Sequence, residues 1–230
     1  PKQFDIKSTS FSKALKTISF AALPKDYEHV LDSISIQKNK DDLYFASTDT
    51  KRCAIYKLQD VSNIGLEKSI LIPASLLEQL SKISKEENIL EFYYSEKSNH
   101  VFVSQKNLDI RMASIEENLS QKFPNISMLL DKKYEPLTTI EKTEFLRLLD
   151  NAALVNNFSA LFSFKNDNGA GECTVKAISD NGKYNEITYS IKTNEVKKEV
   201  QAVWGVMHLM EVSKSLGENM ISMEIPENLK

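Results

Sequence analysis

Little in this chain is built for chemistry. Its 230 residues include only two cysteines, three histidines and six glycines. Scarce glycine leaves little scope for backbone to close on a cofactor. The chain has no phosphate-cradling glycine loop, no HExxH helix, no GxSxG elbow and no CxxC pair. The one glycine cluster, Asn168-Gly169-Ala170-Gly171, lies between two strand-like stretches and precedes no helix, so it reads as a hairpin loop. His29, His100 and His208 lack a second His, Cys or carboxylate at metal-ligand spacing, and neither a metal nor a cofactor is expected. Cys53 and Cys173 sit in apolar or β-branched stretches and are expected as buried free thiols. No apolar run approaches the roughly 18 residues of a membrane-spanning helix, and the basic start and apolar core of a signal peptide are missing. The expectation is a soluble cytoplasmic protein without membrane contact. A net charge of −3 and a pI near 5.8 argue against gripping nucleic acid by bulk attraction. The chain opens on Pro1 rather than Met, which suggests a piece of a longer protein or a processed product.

What is present is patterning. With 41% hydrophobic and 27% charged residues, the composition is that of a globular protein of about two domains. Period-two alternation predicts strands at Ser33–Gln37, Leu43–Ser47, Cys53–Leu58, Ile89–Ser95, His100–Ser104 and Leu108–Ser114. Further strands are predicted at Leu161–Lys165, Cys173–Ser179, Ile187–Lys192, Val200–Trp204 and Met220–Ile225, with Asn181-Gly182 as a turn. Helical spacing predicts Phe11–Phe20, Ala74–Ile83, Thr143–Leu154 and Val206–Leu216, with Pro73 suited to opening the second.

The elements come in the same order twice. A shift of about 131 residues lays Ala21-Ala22-Leu23 on Ala152-Ala153-Leu154, Leu15 on Leu146, and Ala46 and Asp49 on Ala177 and Asp180; one residue more lays Leu77, Ser81 and Lys82 on Leu209, Ser213 and Lys214. The alternative is chance similarity between amphipathic segments. A real duplication gives an α+β fold of two tandem similar domains, each with two helices packed on antiparallel sheets, joined near Phe123–Glu135. Such layered domains suit wrapping around something. Lys13, Lys16, Lys82, Lys85, Arg147 and Lys214 lie on or just beyond these helices. Singly each reads as a solvated helix charge; together they would line one face of an acidic protein with positive charge able to tolerate a phosphate backbone. His208 reads either as a solvated helix residue or as a contact to an anionic partner. Cys53 beside Arg52 reads either as a strand residue or as an activated thiol.

Thr48-Asp49-Thr50-Lys51-Arg52-Cys53-Ala54 resembles the Thr-Asp-Gly-His-Arg-Leu-Ala segment in the middle domain of the bacterial DNA polymerase III beta subunit, the replication sliding clamp family. Ile70-Leu71-Ile72-Pro73-Ala74 leading into Leu76-Leu77-Glu78-Gln79-Leu80 resembles that family's strand-Pro-helix passage. Gln121-Lys122-Phe123-Pro124-Asn125 resembles its Gly-Arg-Phe-Pro-Asp stretch, with Arg111 in the strand before it. The likeness runs the length of the chain, residues 1–130 resembling the middle domain and 131–230 a C-terminal domain cut short at its end. It implies a non-catalytic fragment of a clamp that in full closes as a head-to-tail homodimer around double-stranded DNA, the fragment itself being monomeric.

The resemblance further implies a pocket that receives short linear motifs from the polymerase III catalytic subunit, the clamp loader, and other polymerases and repair proteins. Its positions here are Leu31, Thr48, Thr50, Lys51, Arg52, Cys53, Pro124, Met128 and Leu129. For Leu31, Cys53 and Leu129, plain core packing is the alternative. Thr50 and Lys51 stand where the family has Gly-His, Cys53 where it has Leu, and Met128 where some members have Arg. Lys25, Glu28 and His29 match positions where family members approach DNA, though Glu28 is ill suited to a phosphate; Lys25 and His29 thus join the helix residues Lys13, Lys16, Lys82, Arg147 and Lys214 as the expected DNA-facing positions. The competing reading is a duplicated α+β protein-interaction adaptor that never meets DNA. A thiol enzyme using Cys53 is a third, and it requires a lowered thiol pKa.

Overall fold

The computed structural model describes residues 1–23, 30–84, 87–117, 122–167, 169–179 and 185–227. Lys25, Glu28, His29, Lys85, Gln121, Asn168, Asp180 and the Asn181-Gly182 turn lie outside the described residues. The chain divides into two compact units, Pro1–Leu130 and Asp131–Lys230.

Unit 1 runs β1 (Lys2–Lys7), α1 (Ser8–Ile18), β2 (Ser33–Asn39), β3 (Asp42–Thr48), β4 (Cys53–Lys57), β5 (Val61–Ser62), β6 (Ile70–Pro73), α2 (Ala74–Ile83), β7 (Ile89–Ser95), β8 (His100–Gln105), β9 (Leu108–Ala113) and the short α3 (Ser127–Leu130). Its antiparallel sheets have the orders β5-β1-β7-β8-β9 and β4-β3-β2-β6. Unit 2 runs β10 (Tyr134–Glu141), α4 (Lys142–Ala153), β11 (Ala160–Asp167), β12 (Ala170–Ile178), β13 (Glu186–Thr193), β14 (Val200–Trp204), α5 (Val206–Ser215) and β15 (Met220–Pro226). Its sheets are β10-β15 and β13-β12-β11-β14. The second order repeats β4-β3-β2-β6 strand for strand, and β10-β15 repeats β1-β7. The fold is α+β, with few helices on antiparallel sheets. Among the described residues no helix is long and apolar enough to cross a membrane.

The helices form because their apolar residues recur every three or four positions. In α1, Phe11, Ala14, Leu15 and Ile18 are buried; in α4, Phe145, Leu148, Leu149 and Ala152 take the same positions. The two buried faces coincide when Phe11 is laid on Phe145, which puts Leu15 on Leu149 rather than on the half-buried Leu146; the sequence repeat was out of step here by about one turn. Ile83, expected in the α2 stripe, is 56% exposed, and α5 buries Val206, Met210 and Ser213 while Leu209 and Leu216 are only partly covered. Glu141 caps α4, its carboxylate accepting from the N–H groups of Thr143 (3.3 Å) and Glu144 (3.0 Å).

Each unit has its own core. In unit 1, Phe4 stacks on Phe92 (centroids 4.5 Å apart) and Phe11 meets Phe45 edge-on. In unit 2, Phe162 and Phe164 pack on Trp204. Cys53 and Cys173 are free thiols. Cys173 is buried, but Cys53 is exposed, because β4 is an edge strand and Cys53 is its first residue.

Candidate functional site

The β4-β3-β2-β6 sheet has two unlike faces. Period-two alternation sends Ile34, Ile36, Leu43, Phe45, Ile70 and Ile72 into the main core of unit 1. The other face carries Ser35, Gln37, Ala46, Thr48 and Leu71. A separate apolar cluster covers it, with Val30 and Leu31 from the 3₁₀ turn Val30–Asp32, and Phe123 and Ile126 from the stretch after β9. Burying Phe123 and Ile126 supplies about 1.5–3 kcal/mol each. Leu31 is therefore packed into this cover, 5% exposed, and its carbonyl accepts from Leu23 N–H (2.8 Å).

The β3–β4 turn is organised by side chains. Asp49 Oδ1 accepts from the N–H groups of Lys51 and Arg52 (3.0 Å each), while its Oδ2 accepts from Arg52 Nε (2.9 Å). Thr48 Oγ1 donates to Arg52 O (2.6 Å) and accepts from Thr50 N–H (3.2 Å). Burial alone would push the Asp49 carboxyl up, but the N–H groups of Arg52 and Lys51 and the Arg52 guanidinium outweigh it and hold the group below the usual carboxylate range. Arg52 also donates from Nη2 to Phe20 O (3.2 Å) and lies over the Phe20 ring at 5.1 Å; Ser47 Oγ donates to Ile18 O (2.5 Å). Two hairpin side chains thus tie down the end of α1 at Ile18 and the 3₁₀ turn Ser19–Ala21 that follows it.

Thr50 sits at φ 76°, a left-handed conformation that costs a β-branched residue about 1–2 kcal/mol. Thr50→Gly is expected to stabilise unit 1 by about 1 kcal/mol, after the entropy that glycine gives back. Urea unfolding followed by far-UV circular dichroism measures it, and a loss of stability would show that the threonine side chain matters more than the strain.

Lys51 is exposed at the hairpin tip. Cys53 pairs with Thr48 across the hairpin. Although Cys53 counts as exposed by surface area, enough protein surrounds its thiol for burial to push the pKa up, and Arg52 is turned toward Asp49 and Phe20. An activated thiol needs the opposite shift. Pro124 is exposed, its carbonyl held by Gln37, while Leu129 is half-buried and Met128 is 73% exposed in α3. The nine expected pocket positions thus all belong to unit 1 and lie in the hairpin, in the 3₁₀ turn Val30–Asp32 or in the stretch after β9. Gln37 was missed, because a glutamine ending Ser-Ile-Ser-Ile-Gln reads as a solvated strand residue.

The expected DNA-facing residues divide. Lys13 and Lys16 are exposed on α1, which carries no acidic residue, and Lys82 is exposed on α2, tied to α1 by Ser81 Oγ donating to Ser12 Oγ (2.8 Å). Lys214 is exposed on α5. Lys16, Lys82 and Lys214 each lie in the last turn of a helix, where the macrodipole favours a cation by about 0.3–1 kcal/mol. Arg147 is already engaged, paired with Glu144 one turn back and lying over the Tyr189 ring at 5.7 Å.

Residues 5–125 match the family model described as DNA polymerase III beta subunit, central domain. The chain belongs to the DNA polymerase III beta subunit family. The matched stretch includes the β3–β4 hairpin, the second sheet face and Pro124. A beta sliding clamp of Staphylococcus aureus (strain Mu50 / ATCC 700699) is 23% identical over 229 residues, covering 95% of this chain and 57% of the relative. The beta sliding clamp of Mycoplasmopsis pulmonis (strain UAB CTIP) is 26% identical over 159 residues, 67% of this chain and 39% of that protein. The chain therefore spans little more than half the length of the Staphylococcus relative. A Pseudomonas aeruginosa sliding clamp (DNA polymerase III subunit beta), solved bound to griselimycin, superposes with a TM-score of 0.82 at 14% identity over 98% of this chain and 59% of its own. A second Pseudomonas aeruginosa clamp structure with ligand gives 0.81 at 14% identity over 96% and 60%. Beta subunit family members thus share this fold at low sequence identity.

Proposed function

We propose that the chain serves in a DNA sliding clamp, a non-catalytic cytoplasmic processivity factor that encircles duplex DNA and docks the replicative polymerase, the clamp loader and other polymerases and repair proteins by short linear motifs. Residues 1–130 act as the middle domain and 131–230 as the C-terminal domain. The docking site comprises Leu31, Thr48, Thr50, Lys51, Arg52, Cys53, Pro124, Met128 and Leu129. The observation that carries this reading is the family match over residues 5–125, which takes in a hairpin fixed by its own side chains beside an apolar cover. Peptide anchoring needs apolar surface and a few fixed polar groups held before the ligand arrives.

Encirclement is consistent with weak charge. Retention by topology needs little affinity, and tight phosphate contacts would oppose sliding. The exposed Lys13, Lys16, Lys82 and Lys214 suit such contact; Arg147, held by Glu144, contributes less. The ring would be a homodimer of the full-length protein, as the family resemblance implies.

The test is binding of a labelled peptide rich in Gln, Leu and Phe to the chain and to an Arg52→Ala, Leu129→Ala double variant. Saturable binding weakened at least tenfold in the variant is expected; equal binding by both would sink the site. The DNA half is tested by loading the ring-forming protein on nicked circular duplex. Retention that vanishes on linearisation is expected of a clamp and not of a protein-only adaptor.

A further inference from the structure

The amide of Gln37 is 8% exposed on the covered face of β2, a place where an unsatisfied polar group is costly. Its Nε2 donates to Ser35 Oγ (2.9 Å) and to Pro124 O (3.1 Å), and its Oε1 accepts from Ile126 N–H (3.2 Å). The orientation of the amide follows from its partners, since a carbonyl can only accept and a backbone N–H can only donate. Ile126 passes the constraint on. Its own carbonyl accepts from the N–H groups of Leu129 and Leu130 (2.9 Å each), closing the turn that displays Met128 and Leu129. The other described ties of residues 122–130 are the burial of Phe123 and Ile126, Phe123 N–H donating to Glu117 Oε1 (2.7 Å) from six residues away, and two bonds to Asn125 from within, Ser127 N–H to its Oδ1 (2.9 Å) and Met128 N–H to its carbonyl (3.4 Å); further back, Ile115 N–H donates to Leu71 O of β6 (2.9 Å). Apolar burial is not directional, and Glu117 belongs to the same connecting stretch. Among the described residues, the hydrogen bonds between residues 124–126 and the sheet are those of Gln37, and they fix the register of that segment on β2; the Ile115–Leu71 bond anchors the chain nine residues earlier.

We propose that Gln37 is the positioning residue of the docking site: by clamping Pro124 and Ile126 to β2 it sets the place of Pro124, Met128 and Leu129 relative to the β3–β4 hairpin. This rests on the reading of those residues as a peptide site. Without the clamp the stretch remains buried at Phe123 and Ile126 but is free to shift, and a peptide must first restore the arrangement, which lowers its apparent affinity.

The experiment compares the full chain with Gln37→Met and Gln37→Glu variants by hydrogen exchange across residues 122–130 and by affinity for the labelled Gln-, Leu- and Phe-rich peptide. Gln37→Met is expected to speed exchange in that segment, and to weaken the peptide, each by roughly tenfold, while protection of β3 and α1 is unchanged. Gln37→Glu should do the same at pH 7. Its introduced carboxyl, buried against a carbonyl oxygen, should protonate as the pH falls toward about 5 and regain the lost donor. Protection and affinity should then recover, where the wild-type chain stays flat. A role in packing alone predicts no such recovery. Unchanged exchange in Gln37→Met overturns the proposal, as does a loosened segment with undiminished peptide affinity. If the wild-type chain binds no peptide, the site reading fails and the proposed role of Gln37 with it, and exchange alone then reports whether the clamp exists.

Discussion

Gly171→Ala is expected to destabilise unit 2 by about 4 kcal/mol, a large part of what holds a unit of this size together. Gly171 lies in β12, between Asn166 of β11 and Thr193 of β13. A Cβ added to it would fall 1.8 Å from Asn194 O, 2.4 Å from Thr193 Oγ1 and 2.8 Å from Asn194 C. Asn194 cannot step aside. Its N–H donates to Thr139 O (3.0 Å), and its carbonyl accepts from Thr138 Oγ1 (2.9 Å) and Thr193 Oγ1 (2.7 Å). Relief therefore breaks two or three hydrogen bonds, about 1 kcal/mol each, on top of the 1–3 kcal/mol of overpacking. Urea unfolding followed by fluorescence of Trp204, the sole tryptophan, reports this unit directly, since the indole packs on Phe162 and Phe164. Gly169 is the internal control. A methyl group added there would meet nothing within 4 Å, but its φ of 85° should cost alanine about 1–2 kcal/mol. A Gly171→Ala midpoint shifted no further than that of Gly169→Ala would refute the steric account.

These glycines also show where local sequence reading stops. Asn168-Gly169-Ala170-Gly171 reads as one loop, yet Gly171 is a strand residue whose missing side chain is demanded by a carbonyl 23 positions away in sequence. Elements with strong periodicity were legible: α2 at Ala74–Ile83, β7 at Ile89–Ser95 and β14 at Val200–Trp204 fall where their patterns put them. β1 was not, because both its faces are covered. Phe4 and Ile6 enter the core while Gln3 and Asp5 are roofed by Asn63 and Gly65, so alternation does not mark it as a half-exposed strand. β10 was missed although only Tyr134 and Glu135 of it fall in the expected linker, because Pro136 interrupts its pattern; its two-stranded sheet accommodates that proline at an irregularity in register. In the candidate site, the Thr48–Ala54 motif was readable as a motif, but not the direction of Arg52, whose partners Phe20 and Asp49 are set by how α1 ends against the hairpin.

The same hairpin yields the second large effect, which is expected to appear as acid sensitivity. Asp49→Ala removes the acceptor of two backbone N–H groups and the ion pair of Arg52, whose side chain, like that of Asp49, is less than one-fifth exposed. Hydrogen bonds to a poorly solvated charged group are worth more than neutral ones, so a loss of about 3 kcal/mol is expected in unit 1. Because the folded carboxyl titrates below its ordinary value of 3.8, the stability it lends is complete well above that pH and disappears as the pH falls through the folded value. Unfolding of the wild-type chain between about pH 5 and pH 2 should therefore show a steeper decline than Asp49→Ala, which keeps the other low-titrating carboxylates Asp60 and Glu91 of this unit, the two curves converging at the acid end. Asp49→Asn separates the contributions: its single carbonyl oxygen can still receive a backbone N–H but offers Arg52 no charge, so it should lie between the two at pH 7 and share the flatter profile. Parallel curves for wild type and Asp49→Ala across this range would mean that the carboxylate is not what holds the turn. Arg52 would then owe its position to the Phe20 ring and carbonyl alone, and peptide affinity in Asp49→Ala should survive. If instead the curves converge, affinity should fall with the turn, because the guanidinium proposed to rim the docking site is held in place by the group being protonated.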